Sequence, residues 1–236
     1  MGSSTPAVVM ARLALVWAMA AGCGGREVRL GDGVAGPDGG ACPHGQVQAS
    51  EVLWIGDSWI TMTGTQHTGV RDLARAAGAI GPNDDYVVVA IGGTTMAMIA
   101  DQYNTREAGA TKVKVLIMDG GGWDTILAGG SDASVASAGE AFRQHLAKVA
   151  SDGTVKHIIY FLYPELVTIP GVAALRPVMQ QACTASTVPC HFLDLQPLWV
   201  GHPEYTDGTN IQASEAGSQV IAREIWAIMQ LNCIAQ

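Results

Sequence analysis

Basic residues are scarce in this chain, and several functional classes are excluded by what it lacks. Lys and Arg together number 13 against 21 Asp and Glu, which gives a formal net charge of -8. Nucleic-acid phosphates are bound by clustered cations, so no nucleic-acid partner is expected. Patterns that bind metals are also missing, because neither a Cys-x-x-Cys pair nor a histidine-rich stretch occurs. We therefore expect neither a metal nor a cofactor.

A hydrophobic run long enough to span a bilayer is missing near the start of the chain. The apolar run from Leu13 to Ala21 follows Arg12 and ends just before Cys23. Its length suits the apolar core of an export signal. Residues 1–23 look like a bacterial lipoprotein signal with Cys23 as the lipidated residue; an ordinary cleaved signal or an uncleaved anchor are the alternatives. We expect a lipoprotein in the periplasm or at the cell surface, attached to the membrane only through its lipid.

The rest of the chain divides into a tether and a domain. Residues 24–45 are rich in glycine and have little apolar periodicity, which predicts a flexible tether. Residues 46–236 suffice for one α/β domain with a full hydrophobic core, and we expect a monomer.

Four cysteines remain when Cys23 is set aside, an even number in a chain that carries an export signal. Four cysteines allow three pairings. The short separation of Cys183 and Cys190 favours a local disulfide between them, which leaves Cys42 to pair with Cys233. Free buried thiols are the alternative.

Short apolar runs alternate with helical patterns along the domain. The runs are continuous and rich in β-branched residues, as expected of parallel strands covered on both faces. They lie at 52–55, 86–91, 113–118, 158–162 and 192–195. Helices are predicted over about 70–77, 96–108, 134–150, 172–185 and 214–229, the last capped by Ser214. The order predicts a three-layer α/β/α sandwich around a five-stranded parallel sheet.

Two motifs should meet at the carboxyl ends of the strands, where such sheets bind ligands. Gly56-Asp57-Ser58 closes the first strand, and Asp207-Gly208-Thr209-Asn210 precedes the last helix. A serine at a strand-to-helix turn, joined by a carboxylate from the far end of the chain, is the layout of a serine ester hydrolase.

On these motifs residues 52–227 resemble the SGNH or GDSL hydrolases, whose sandwich is of the flavodoxin-like type. The resemblance implies ester hydrolysis through an acyl-enzyme on Ser58, with Asp207 orienting a base. The backbone N–H groups of Ser58 and of Gly92 or Gly93 would hold the oxyanion, and which glycine does so stays open. The substrate class implied is a small ester or an acylated carbohydrate.

Two family positions are changed in this sequence. Trp123 stands where the family has an oxyanion-binding asparagine, and Asn210 stands at the position of the family histidine. An amide cannot take the serine proton, so catalysis should be impaired. His202 is a candidate substitute base, and His67 a weaker one. The alternative function is that of a pseudoenzyme, which binds a carbohydrate or an acyl ligand without turnover.

Other side chains near the motifs have simpler interpretations. Trp54 is expected to pack in the core, whereas Trp59 and Trp123 adjoin functional positions and could line a pocket. His202-Pro203-Glu204 matches half of a zinc deaminase signature, but the required Pro-Cys-x-x-Cys half is absent.

Overall fold

The computed structural model describes residue 42 and residues 45–62, 65–166 and 168–234. Within these ranges the sequence forms five strands: β1 (Val52–Ile55), β2 (Val87–Val88), β3 (Val115–Met118), β4 (His157–Leu162) and β5 (Cys190–Asp194). They build one sheet in the order β2-β1-β3-β4-β5, and all neighbouring pairs are parallel. The predicted five-stranded parallel sheet is confirmed.

The burial of the strands explains why their sequences are continuously apolar. All residues of the central strands β1 and β3 are buried, whereas β2 and β5 at the sheet edges are half-buried. Strand β2 is shorter than the predicted run 86–91. Its hydrogen bonding continues beyond Val88, because the N–H groups of Val89 and Ile91 still donate to the carbonyl oxygens of Trp54 and Gly56.

Eight helices surround the sheet in the described ranges. They are α1 (Ser58–Thr61), α2 (Thr65–Ala76), α3 (Met96–Glu107), α4 (Gly122–Leu127), α5 (Asp132–Asp152), α6 (Val172–Thr184), α7 (Gln196–Trp199) and α8 (Glu215–Leu231). Helix α2 packs against α8, while α5 packs against α3 and α6, which gives the three-layer sandwich. As predicted, Ser214 caps α8, its hydroxyl accepting from Gly217 N–H. None of these helices is long and apolar enough to cross a membrane.

The structure contains two disulfides, with the pairing that the cysteine spacing favours. Cys42 is bonded to Cys233 just after α8, and Cys183 in α6 is bonded to Cys190 at the start of β5. The predicted signal with Cys23, and all of the predicted tether except Cys42 and Gly45, lie outside the described residues.

Candidate active site

The candidate nucleophile lies on a sharp turn between β1 and α1. Gly56 has a φ of 144°, and a Cβ atom at this position would lie 1.7 Å from Asp119 Oδ1, so only glycine fits. Ser58 then begins α1 and is half-buried at the carboxyl end of the sheet. The sequence motif therefore forms the tight strand-to-helix turn that it predicts.

Two buried side chains from distant parts of the sequence hold this turn. The Gln102 amide contacts both backbone groups of Gly56, accepting from its N–H at 2.8 Å and donating to its carbonyl at 3.0 Å. Asp119 Oδ1 accepts from the N–H of Asp57 at 2.6 Å. Neither residue was identified from the sequence, where each reads as an ordinary polar residue in its own helix or loop.

Asp57 links the serine turn to the glycine turn after β2. Its Oδ1 accepts from the N–H of Gly93 at 2.5 Å and from the N–H of Thr94 at 3.2 Å, and the residue is only 3% exposed. The amide of Gly93 is thus engaged by Asp57. Gly92 lies directly against the nucleophile, because a Cβ atom built on it would stand 3.6 Å from Ser58 Cβ.

The carboxyl groups of Asp57 and Asp119 are neighbours, and both are buried. Burial raises the pKa of Asp57 above its usual value, although hydrogen bonds from the backbone N–H groups of Ser58, Gly93 and Thr94 lower it. Burial, and then the negative charge of Asp57, raise the pKa of Asp119 well above its usual value. Tyr163 lies beside Asp119, and hydrogen bonding from its side chain lowers the pKa of Asp119 against these two effects.

The side chain that reaches Ser58 is Gln212. Its Nε2 donates to Ser58 Oγ at 2.8 Å, and the residue is 7% exposed. Its Oε1 is buried and has no hydrogen-bond partner in the described part of the chain. If the amide were turned, Oε1 would accept from the serine hydroxyl instead, but in neither orientation does the amide act as a base. No sequence signal distinguished this glutamine.

The loop before α8 is a narrow hairpin, and its shape explains why Gln212 and not Asn210 lies at the nucleophile. Thr206 and Ala213 form an antiparallel bridge, and the N–H of Asp207 donates to the carbonyl of Gln212 at 2.9 Å. Residue 212 is thereby held at the base of the hairpin. Asn210 lies at the exposed tip with a φ of 55°, and its carbonyl accepts from the Thr168 hydroxyl.

Asp207 closes this hairpin. Its Oδ1 accepts from the Thr209 N–H at 3.0 Å, the Thr209 hydroxyl at 2.6 Å and the Gln212 N–H at 3.4 Å. Slight burial raises the pKa of Asp207, but the hydrogen bonds outweigh this effect and leave the pKa below its usual value. The carboxylate of Asp207 is directed at its own loop, so the predicted role of orienting a base remains a prediction.

The two histidines considered as substitute bases lie elsewhere. His202 is exposed, hydrogen-bonded to Glu204 at 2.8 Å and stacked on Tyr205 with ring centroids 4.5 Å apart. His67 on α2 lies edge-on to Trp54, and burial lowers its pKa. Neither histidine lines the cavity above Ser58.

That cavity has a volume of about 370 Å³. Its polar and glycine lining consists of Asp57, Ser58, Gly92, Gly93, Gly122 and Gln212, and the remaining lining residues are Trp59, Met62, Trp123, Ile126, Tyr163, Ile169 and Ile211. As predicted, Trp54 is fully buried in the core, whereas Trp59 and Trp123 line the pocket. In the described residues, no group of three or more His, Cys, Asp or Glu side chains is arranged to hold a metal ion.

The fold of this chain can be compared with the folds of known proteins. Neither a protein-family model nor a curated protein sequence matches the chain. Solved structures do match. A family 3 carbohydrate esterase of Clostridium thermocellum is 18% identical with a TM-score of 0.63, over 78% of this chain and 98% of that chain. TesA is 14% identical with a TM-score of 0.60, over 75% of this chain and 97% of that chain.

A third structure extends the likeness to almost the whole described domain. A GDSL-like lipase from Parabacteroides merdae is 14% identical with a TM-score of 0.58, over 81% of this chain and all (100%) of that chain. At such low identities the likeness concerns the path of the backbone and not the chemistry. The chain thus has the fold of the SGNH and GDSL hydrolases.

Proposed function

We propose that the protein is a serine ester hydrolase of low turnover in which Ser58 is the nucleophile. The observation that carries the proposal is the position of Ser58, half-buried on the strand-to-helix turn and in the lining of the cavity. The glycine turn of residues 92 and 93 lines the same cavity. Nucleophile and backbone donors are thus brought to one place, as acyl transfer requires.

In the proposed reaction, Ser58 Oγ adds to the carbonyl carbon of an ester, and the carbonyl oxygen becomes an oxyanion. The backbone N–H of Gly92 is proposed as an oxyanion donor in preference to that of Gly93, which donates to Asp57. The N–H of Ser58, which also interacts with the Asp57 carboxyl, is the second proposed donor. Collapse of the intermediate breaks the ester bond and releases the alcohol, which takes the serine proton through solvent. Water then hydrolyses the acyl-Ser58 ester and releases the acid.

Low turnover follows from the side chains around the nucleophile. Gln212 occupies the place beside Ser58 Oγ in which a general base would act, and Trp123 adds a bulky indole to the cavity wall. Loss of a catalytic-triad member costs roughly 10⁴- to 10⁶-fold in turnover, and the binding groups leave some residual catalysis. We expect slow acylation and slow deacylation.

A second candidate function is binding of an ester or acyl ligand without turnover. The hydrogen bond from Gln212 Nε2 to Ser58 Oγ favours it, because a donor on the oxygen makes its lone pairs less available for attack. The two candidates use the same cavity and differ only in whether Ser58 forms a covalent bond.

The proposal includes export, with the chain anchored through a lipid on Cys23. Two disulfides in the described domain support it, since disulfides persist in oxidising compartments. We also propose that the protein is a monomer and that it binds no nucleic acid.

The test is hydrolysis of p-nitrophenyl butyrate by the full chain beside its Ser58→Ala variant. Slow release of nitrophenol that disappears in the variant would support the hydrolase. Equal rates for both proteins, together with saturable binding of the ester, would support the binding protein instead.

A further inference from the structure

The wall of the Ser58 cavity is built from large apolar side chains. Trp59 is 2% exposed, and its indole N–H donates to the carbonyl of Ile211 at 3.0 Å, which fixes one side of the cavity. Tyr163 packs on Trp59 with ring centroids 5.2 Å apart and forms part of the same wall. Such a wall favours hydrocarbon over hydrated groups.

The mouth of the cavity is apolar as well. The described residues include seven large hydrophobic side chains that are exposed, and two of them line this cavity. These two are Met62, 67% exposed, and Ile211, 38% exposed. Single exposed hydrophobics are ordinary, but a pair beside an apolar wall is typical of a binding surface.

Most charged and amide groups of the cavity are engaged by the protein itself. Asp57 accepts from Gly93 and Thr94, and Gln212 Nε2 donates to Ser58, which leaves Gln212 Oε1 as an acceptor without a partner among the described residues. The described lining contains no Lys or Arg that would hold a phosphate or carboxylate. A ligand in this cavity thus gains mainly from burial of hydrocarbon.

We propose that the ligand of the Ser58 cavity is a lipid-type ester, whose apolar acyl chain fills the cavity while Met62 and Ile211 cover the chain at the mouth. The inference rests on the proposed function, since it names the substrate class of the same site. Of the two substrate classes that the family resemblance implies, a small ester and an acylated carbohydrate, it favours the ester.

The test measures binding separately from turnover. The full-length Ser58→Ala protein is titrated with 1-octanoylglycerol, below its micelle-forming concentration, and with xylose tetraacetate, while tryptophan fluorescence is recorded. Trp59 and Trp123 line the cavity and report its occupation. We expect saturable binding of the octanoyl ester and none of the acetylated sugar.

Substitutions at the mouth provide the matched comparison. Ile211→Gln and Met62→Gln should each weaken octanoyl binding about threefold to tenfold, as expected for partial burial of one large apolar side chain. Leu231→Gln at the end of α8 alters a side chain that is 61% exposed, close to the 67% of Met62, and should leave binding unchanged.

The outcomes separate this inference from the proposed function. Binding of the acetylated sugar in place of the octanoyl ester, or equal loss in all three variants, would overturn the lipid-type ligand even if the wild type hydrolyses esters. A wild type without Ser58-dependent hydrolysis would overturn the proposed enzyme, whereas octanoyl binding by Ser58→Ala would still stand.

Discussion

Replacing Gln212 with histidine should accelerate ester hydrolysis, because it puts a base at the position that the amide now occupies. Gln212 Nε2 lies 2.8 Å from Ser58 Oγ. The Nε2 of a histidine is the same number of bonds from Cα, so an imidazole can reach the hydroxyl. An imidazole takes the serine proton, and a positioned general base contributes roughly 10²- to 10⁴-fold to the rate.

The lower end of that range is expected here. Asp207, which would orient the new imidazole, already accepts three hydrogen bonds within its own hairpin. We therefore expect kcat/KM for p-nitrophenyl butyrate to rise about 100-fold. The added activity should increase with pH through about 6.5, where a histidine loses its proton.

Two comparisons make this prediction decisive. Asn210→His changes the exposed hairpin tip and should give no gain, and Gln212→His combined with Ser58→Ala should be inactive. If Asn210→His accelerates hydrolysis and Gln212→His does not, the reasoning from the hairpin geometry is wrong.

Three further predictions concern the stability of the fold. Gly56→Ala should lower the free energy of unfolding by about 3 kcal/mol or more, because the new Cβ would lie 1.7 Å from Asp119 Oδ1. The control Gly153→Ala, whose new Cβ has nothing within 4 Å, should lower it by only about 1 kcal/mol. Equal unfolding midpoints in urea would contradict this prediction. Replacing both Cys42 and Cys233 with serine should lower the free energy of unfolding by about 2–5 kcal/mol. An unchanged unfolding midpoint in urea would contradict this prediction. Burial lowers the pKa of His145 to about 4, so the unfolded chain binds more protons than the folded chain below about pH 6.5. The stability of the wild type relative to His145→Phe should therefore fall by about 3 kcal/mol between pH 7 and pH 4, and a pH-independent difference would contradict it.

The sequence predicts the sheet well because burial of a parallel strand leaves a direct trace. The runs at β1 and β3 are apolar at all positions, since both faces of these strands are covered. Short helices such as α1 and α4 were not predicted, because four to six residues carry too little periodicity. The start of α2 was placed too late for a related reason: its first turn, Thr65-Gln66-His67, is polar.

The site was predicted only in part, and the missing parts have physical causes. Ser58 could be found because the motif is local and ends a strand. Gln102 and Asp119 lie 46 and 62 residues from the backbone groups that they hold, so no local pattern indicates them. The spacing of the hydrolase motif predicts that Asn210 lies beside Ser58. Asn210 instead has a left-handed backbone at the tip of the hairpin, and the bridge at the base of the hairpin holds Gln212 beside the serine.

The most direct test of the account is intact-protein mass spectrometry of the full chain after prolonged exposure to p-nitrophenyl butyrate, followed by peptide mapping. Nitrophenolate is a better leaving group than the serine alkoxide, so without an effective base deacylation is slower than acylation. The account therefore predicts that a single butyryl group accumulates on the peptide that contains Ser58 and is absent from Ser58→Ala. An unmodified protein after prolonged exposure, or a butyryl group on another residue, would contradict the claim that Ser58 is the nucleophile.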